Sequence, residues 1–151
     1  MQSINNNAPV KCSKKIIINA PIETVWKTLT NIDNWEHWQK EISNTELNGE
    51  LKVGSTFQWK TGGAKINSKL HTVKPLEQFG WTGNSFGMTA IHNWAISETN
   101  GQTNVLVEES MEGFLAKLLT KTFNKNLEKG MQKWLELLKE ECEKQTKKNG
   151  I

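Results

Sequence analysis

The residues best suited to chemistry in this 151-residue sequence are His92 and Glu109. His92 lies in the alternating run Thr89–Glu98, where His92, Trp94 and Ile96 share one face and Ile91, Asn93 and Ala95 the other. Glu109 lies in Thr103–Met111, where Val105, Val107, Glu109 and Met111 alternate with Leu106, Glu108, Ser110 and Glu112. Asn100-Gly101 between the runs is a strong two-residue hairpin signal. Cross-strand neighbours touch, so this register brings Glu109 within reach of His92 on the face that carries Trp94. A carboxylate beside an imidazole in an apolar pocket favours the imidazolium and orients the neutral tautomer. Three roles follow: a mutually satisfied buried polar pair, an anchor for the polar end of an apolar ligand, or an acid/base pair for cyclisation or dehydration. A one-residue slip in register would reverse the assignment.

Other chemistry finds little support. His37 and His71 have no partner at ligand spacing, and Cys12 and Cys142 form no Cys-x-x-Cys unit, so no metal site is expected. There is no nucleophile elbow, phosphate-binding loop or dinucleotide fingerprint, and no cofactor is expected. Gly62-Gly63 and Gly80, Gly83 and Gly87 fall in strands and their turns. The sequence has seven Trp and no Tyr, so pocket polarity must come from His, Ser, Thr, Asn or Glu. Trp59, Trp81 and Trp94 are the expected lining aromatics, while Trp26, Trp35 and Trp38 are expected to anchor short helices.

These side chains need elements to hold them. Residues 1–12 read as a flexible polar tail, with Asn5, Asn6, Asn7 and Pro9 favouring turns. Lys14–Asn19 is a β-rich run. Proline at the first helical position, Pro21, opens a helix whose Ile22, Val25, Trp26 and Leu29 recur at helical spacing. A second short helix or turn spans residues 30–40. Strands then follow at Ile42–Leu47, Gly54–Thr61, Lys65–Val73 and Phe79–Thr82, with hairpin signals at Asn48-Gly49 and Gly62-Gly63. Ile66, Ser68, Leu70 and Thr72 are expected to share a face. From Leu115 to Gln145 apolar residues step by three and four, predicting one long helix that needs a concave apolar sheet to cover. Gly130 interrupts its stripe, either for close packing or to leave space for a ligand. One domain over residues 13–146 is expected, with a C-terminal tail at 147–151.

All 19 basic residues are Lys, against 16 acidic, for a net charge of +3. Without arginine the chain lacks the planar fork used for bidentate phosphate and base-edge contacts, which argues against sequence-specific nucleic-acid recognition. Lys117, Lys121, Lys125, Lys129 and Lys133 repeat every four residues as a ridge. It reads either as a solvated face or as a weak contact with an anionic surface or acidic partner. No apolar segment is long enough to span a membrane, and no signal peptide is visible in the polar first ten residues. With two cysteines far apart, the expectation is a cytoplasmic protein with free thiols.

The order of these elements, strand, two short helices, antiparallel strands and long helix, resembles the helix-grip arrangement, and local words sharpen the likeness. Asn19-Ala20-Pro21-Ile22-Glu23-Thr24-Val25-Trp26 resembles the opening of the START-like (SRPBCC) superfamily in its polyketide cyclase/dehydrase-like branch. Asp33-Asn34-Trp35-Glu36-His37-Trp38, Gly54–Trp59, Phe79–Gly83, Ile91–Trp94 and Glu108–Gly113 follow in matching order. The likeness covers roughly residues 14–143. It departs where many members place prolines, at Glu36 and Lys40.

The resemblance implies an α+β fold, a curved antiparallel sheet of about seven strands around the C-terminal helix, enclosing a largely apolar cavity. Its expected wall is Phe57, Trp59, Leu70, Trp81, Trp94, Val107 and Met111 from the strands, with Phe123, Leu127, Met131 and Trp134 from the helix. His92 and Glu109 would be its polar anchor. The superfamily's members bind or transform lipids, sterols, polyketides and other hydrophobic small molecules, so a hydrophobic small molecule is the expected partner. The alternatives are a cyclase/dehydrase-type enzyme using His92 and Glu109, and a protein-interaction module like the Hsp90-activator relatives. Fold alone does not choose among them.

Overall fold

The computed structural model describes residues 1–148 and 150. Seven strands form one antiparallel sheet: β1 Val10–Ile18, β2 Ile42–Asn48, β3 Thr56–Thr61, β4 Ala64–Lys74, β5 Gln78–Ser85, β6 Met88–Thr99 and β7 Gln102–Glu112. Helix α1 covers Ile22–Thr30, a 3-10 turn Ile32–Asn34 leads into α2 at Trp35–Trp38, and α3 (Phe114–Leu118) precedes α4 (Thr120–Lys148). The strand order is β1-β7-β6-β5-β4-β3-β2, so β2 to β7 form a meander and the first strand closes onto the last.

Two-residue turns set the meander. Gly62 and Gly63 take φ of 52° and 80°, and Asn100 and Gly101 take 53° and 75°, the left-handed geometry that matches strand twist. Asn48-Gly49, by contrast, opens a seven-residue connection over 49–55. Its end is pinned where the Gly54 amide donates to the Leu70 carbonyl and the Leu70 amide to that of Ser55.

Alternation sends one face of the sheet inward. Val105 and Val107 of β7, Trp94 of β6, Phe79 and Trp81 of β5, Leu70 of β4 and Phe57 of β3 are all buried under the helices. Parity breaks once. β4 carries a bulge between Leu70, which pairs with Trp81, and Thr72, which pairs with Gly80. Val73 then pairs with Phe79, so Thr72 leaves the face of Leu70 and the expected run of four holds only through Leu70.

Boundaries at both ends of the chain differ from the sequence reading. β1 begins at Val10, inside the stretch read as a tail. Residues before it are also held, since the Asn5 amide donates to Ser110 Oγ and the Asn93 side-chain amide to the Gln2 carbonyl. Ser110, on the opposite face of β7 from Glu109, is buried. Pro21 is the cap before α1, where its carbonyl accepts from the Thr24 and Val25 amides. At the other end α4 runs to Lys148, into the predicted tail at 147–151, of which Asn149 and Ile151 lie outside the described residues.

The predicted single long helix is two. Leu119 leaves helical geometry at φ −113° and ψ 32°. The Thr120 hydroxyl lies 2.9 Å from the carbonyl oxygens of both Ala116 and Lys117, offering the backbone a local alternative to a continuous helix. Leu127, Met131, Trp134, Leu135, Leu138 and Cys142 of α4 are buried as the stripe predicts, but Leu118 and Leu119 are exposed.

Candidate functional site: a His–Glu pair beside an aromatic cluster

The β6–β7 register places His92 directly opposite Glu109 and Trp94 opposite Val107. His92 Nδ1 and Glu109 Oε2 are hydrogen-bonded, and both residues are buried, 7% and 8% exposed. With Nδ1–H donating to the carboxylate, the Nε2 lone pair is left facing away from it. His92 Nε2 is buried and has no protein partner, and the same holds for the indole Nε1 of Trp94. Buried polar atoms are ordinarily paired, so two such atoms on adjacent side chains of one strand face are chemically notable.

Aromatic rings surround the imidazole. It stacks on Trp81, with centroids 4.3 Å apart and planes at 14°, while Trp94 lies 5.5 Å away and Trp134 of α4 6.5 Å. Trp35 is one of the residues at the centre of the cluster. Its ring meets Trp134 at 5.1 Å, Phe57 and Trp81 at 5.6 Å, and Trp59 at 6.4 Å. The Trp35 indole N–H donates to the Leu29 carbonyl at 2.8 Å, so α1 fixes the ring's direction. Trp59 donates to Ser68 Oγ at 3.1 Å.

The thirteen residues read as pocket wall and polar pair therefore lie on the inner side of the sheet or on the buried face of α4. Met111, Trp59 and Phe123 are partly exposed and pack against the core, and the other ten are buried. The sequence reads Trp35 and Trp38 as anchors for the short helices. They do anchor them, but they also reach Trp134 and enter the same aromatic cluster. Their spacing of three does not show how deep they reach. Much of the space expected as a cavity is filled by these rings. Two open depressions, of about 650 and 330 Å³, have other walls: one lies over Lys15–Ile17, Ala95–Ser97 and Asn104–Leu106, the other between Asn48, Gln58 and Asn84. Neither is lined by His92 or Glu109.

Among the described residues no group of three or more His, Cys, Asp or Glu is placed to hold a metal ion. Cys12 and Cys142 are free thiols, and burial pushes the Cys142 thiol up to about 12. No described helix is long and apolar enough to cross a membrane.

A seven-stranded sheet gripping a long C-terminal helix, with two short helices after the first strand, defines the START-like class. Residues 9–143 match the family model for polyketide cyclase / dehydrase and lipid transport, and the chain belongs to that family. No curated protein was found to match the sequence. Among solved structures, it is similar to the hypothetical protein jhp0584 of Helicobacter pylori, with 20% identity and a TM-score of 0.82 over 94% of this chain and 97% of that one. TTHA0849 of Thermus thermophilus is 16% identical, with a TM-score of 0.73 over 86% and 94%. DynU16, described as a putative protein in the dynemicin biosynthetic locus, is 15% identical with a TM-score of 0.66, covering 86% of this chain and 46% of that one. At these identities the likeness is one of fold.

Proposed function

We propose that this protein binds a hydrophobic small molecule, of lipid, polyketide-like or aromatic type, between the inner face of the sheet and α4. One observation carries the reading: His92 Nε2 and Trp94 Nε1 are buried without protein partners beside an otherwise apolar wall. A ligand with an apolar body and one polar end matches that combination, since a hydroxyl at that end would donate to the imidazole Nε2 and accept from the indole N–H. Entry requires rings to part. Phe123 and Met111, both partly exposed, and Met131 with its flexible thioether are the side chains with most freedom to move.

A thermal-shift and tryptophan-quenching panel of fatty acids, sterols, quinones and fused-ring aromatics tests this. A ligand at a hundred times its dissociation constant adds about 2.7 kcal/mol. The midpoint should then rise by roughly 5–10 °C at this size. In the His92→Gln variant the same ligand should bind more weakly. A panel-wide flat response in both assays would count against the reading.

The hydrogen-bonded His92–Glu109 pair also favours a second reading, a cyclase/dehydrase-type enzyme. Glu109 would hold the imidazole so that Nε2 takes a proton beside a bound carbonyl compound. Loss of turnover with retained binding in His92→Gln would select this reading; loss of binding alone would select the carrier.

A further inference from the structure

We propose that α3 and the tip of the β5–β6 hairpin form a docking patch for an anionic phospholipid surface. Phe114 is 75% exposed, Leu118 64% and Leu119 45%, and on the hairpin tip Phe86 is 71% exposed. These apolar side chains occupy adjoining segments. Gly113, at φ 126°, sits so close to the hairpin that an added Cβ would stand 2.6 Å from the Gly87 carbonyl oxygen. Phe114 and Phe86 are each the chain neighbour of one of these touching glycines. A contiguous apolar patch rimmed by polar residues marks a contact surface more often than a solvated one.

Charge decides the occupant. From Phe114 to Leu127 the chain carries Lys117, Lys121 and Lys125 and no acidic residue, and all three lysines are exposed. Lys65 lies beside the hairpin tip, where its carbonyl accepts from Ser85 Oγ. Apolar side chains entering the acyl boundary with lysines at headgroup level is the pattern of an interfacial element. A second copy of this chain would bring the same lysines face to face, and like charges would oppose that pairing. The break at Leu119 contributes as well: it turns Leu118 and Leu119 out from the stripe that a continuous helix would bury. The inference does not depend on which molecule the interior takes.

Co-sedimentation of the full chain with vesicles tests it, using phosphatidylcholine alone and phosphatidylcholine doped with phosphatidylglycerol. Binding should require the phosphatidylglycerol and weaken with added salt. Each of Lys117→Gln, Lys121→Gln and Lys125→Gln should weaken it by roughly five-fold. Phe114→Ser combined with Leu118→Ser should weaken it by at least about ten-fold. Both side chains are exposed, so the midpoint of thermal unfolding should not fall; an unchanged midpoint keeps the loss from being read as unfolding. The proposal is overturned by absence of vesicle binding, by equal binding to both vesicle types, or by binding that survives the double variant. It is also overturned if Phe114 and Leu118 instead hold a concentration-dependent dimer that the double variant dissociates in sedimentation velocity.

Discussion

The imidazole of His92 lies flat on the indole of Trp81, 4.3 Å between centroids, while its Nδ1 is held by Glu109 on the neighbouring strand. The ring is thus fixed in plane by one residue and in direction by another. That leaves Nε2 as its one atom without a protein partner.

Removing both members of the pair should therefore cost less than the two single removals added together. Glu109→Leu leaves Nδ1–H buried and unpaired, at about 1–3 kcal/mol, and His92→Phe strands the carboxylate similarly. The double variant should lose less than the sum, because no stranded polar group remains. A double-mutant cycle by urea denaturation measures the difference, and strict additivity would show that the pair is energetically uncoupled.

Trp35 should be far costlier to lose than Trp26. It touches four other rings and donates to the Leu29 carbonyl, so Trp35→Ala opens a large cavity and orphans that acceptor. A loss of about 3–5 kcal/mol is expected. Trp26→Ala, at a partly exposed ring that pairs with Phe79, should cost less; chemical denaturation of the two variants ranks them.

At Gly80 the limit is space. A Cβ there would lie 2.6 Å from His71 Cε1 and 2.7 Å from Asn93 Oδ1, on the face that the N-terminal segment crosses. Gly80→Ala should destabilise by about 1–3 kcal/mol through displacement of those side chains. Gly130→Ala, with nothing within 4 Å, should instead stabilise α4 by up to about 1 kcal/mol. Thermal unfolding reads both signs.

Cys142 makes a prediction about alkaline pH. Burial raises its thiol from about 9 to about 12, so the folded chain keeps a proton that the unfolded chain releases. Stability from this group is complete below about pH 9 and falls as pH rises toward 12. Cys142→Ala should be less stable at neutral pH, through its cavity, yet lose less stability between pH 9 and pH 11 than the parent. Denaturant midpoints across that range check the slope. A thiol reagent at pH 8 should modify Cys12 well before Cys142, unless the protein is first unfolded.

Acid should act through His71. Burial, and secondarily the N-terminal ammonium group, hold its imidazole below the usual histidine range. The fold favours the neutral ring, so its stabilisation is complete above the unfolded value near 6.5 and is lost as pH falls through the lower folded value. Acetylating the N-terminus should raise the His71 pKa toward the ordinary value, which proton NMR titration of the three histidines would resolve.

Period-two alternation and the Asn100-Gly101 turn are enough to place His92 opposite Glu109, because a paired register follows from turn length and parity. The bulge after Leu70 escapes the same reasoning, since inserting one residue leaves the local composition of a strand unchanged. The break at Leu119 escapes for a related reason. Leu115, Leu118 and Leu119 fit helical spacing, and the Thr120 side chain that competes with the helix adds no apolar signal. The N-terminal segment reads as a tail because its attachment runs through Asn5 and Asn93, by hydrogen bonds that hydrophobic patterning does not register. Trp35 enters the aromatic cluster only because the 3-10 turn aims it inward, and its neighbours come from β3, β5 and α4.

The pairing of β1 with β7 sets a schedule for synthesis. Val10 faces Met111, so the first strand made has no neighbour until about a hundred later residues have emerged. At some 5–20 residues per second, the run Ile16-Ile17-Ile18 stays unpartnered on the ribosome for roughly 5–20 s. Until then it is an apolar strand with both edges open, the state most prone to joining another nascent chain. Slowing elongation between β1 and β7 should lower the soluble yield of this protein, whereas pauses after Glu112, once the sheet can close, should leave it unchanged.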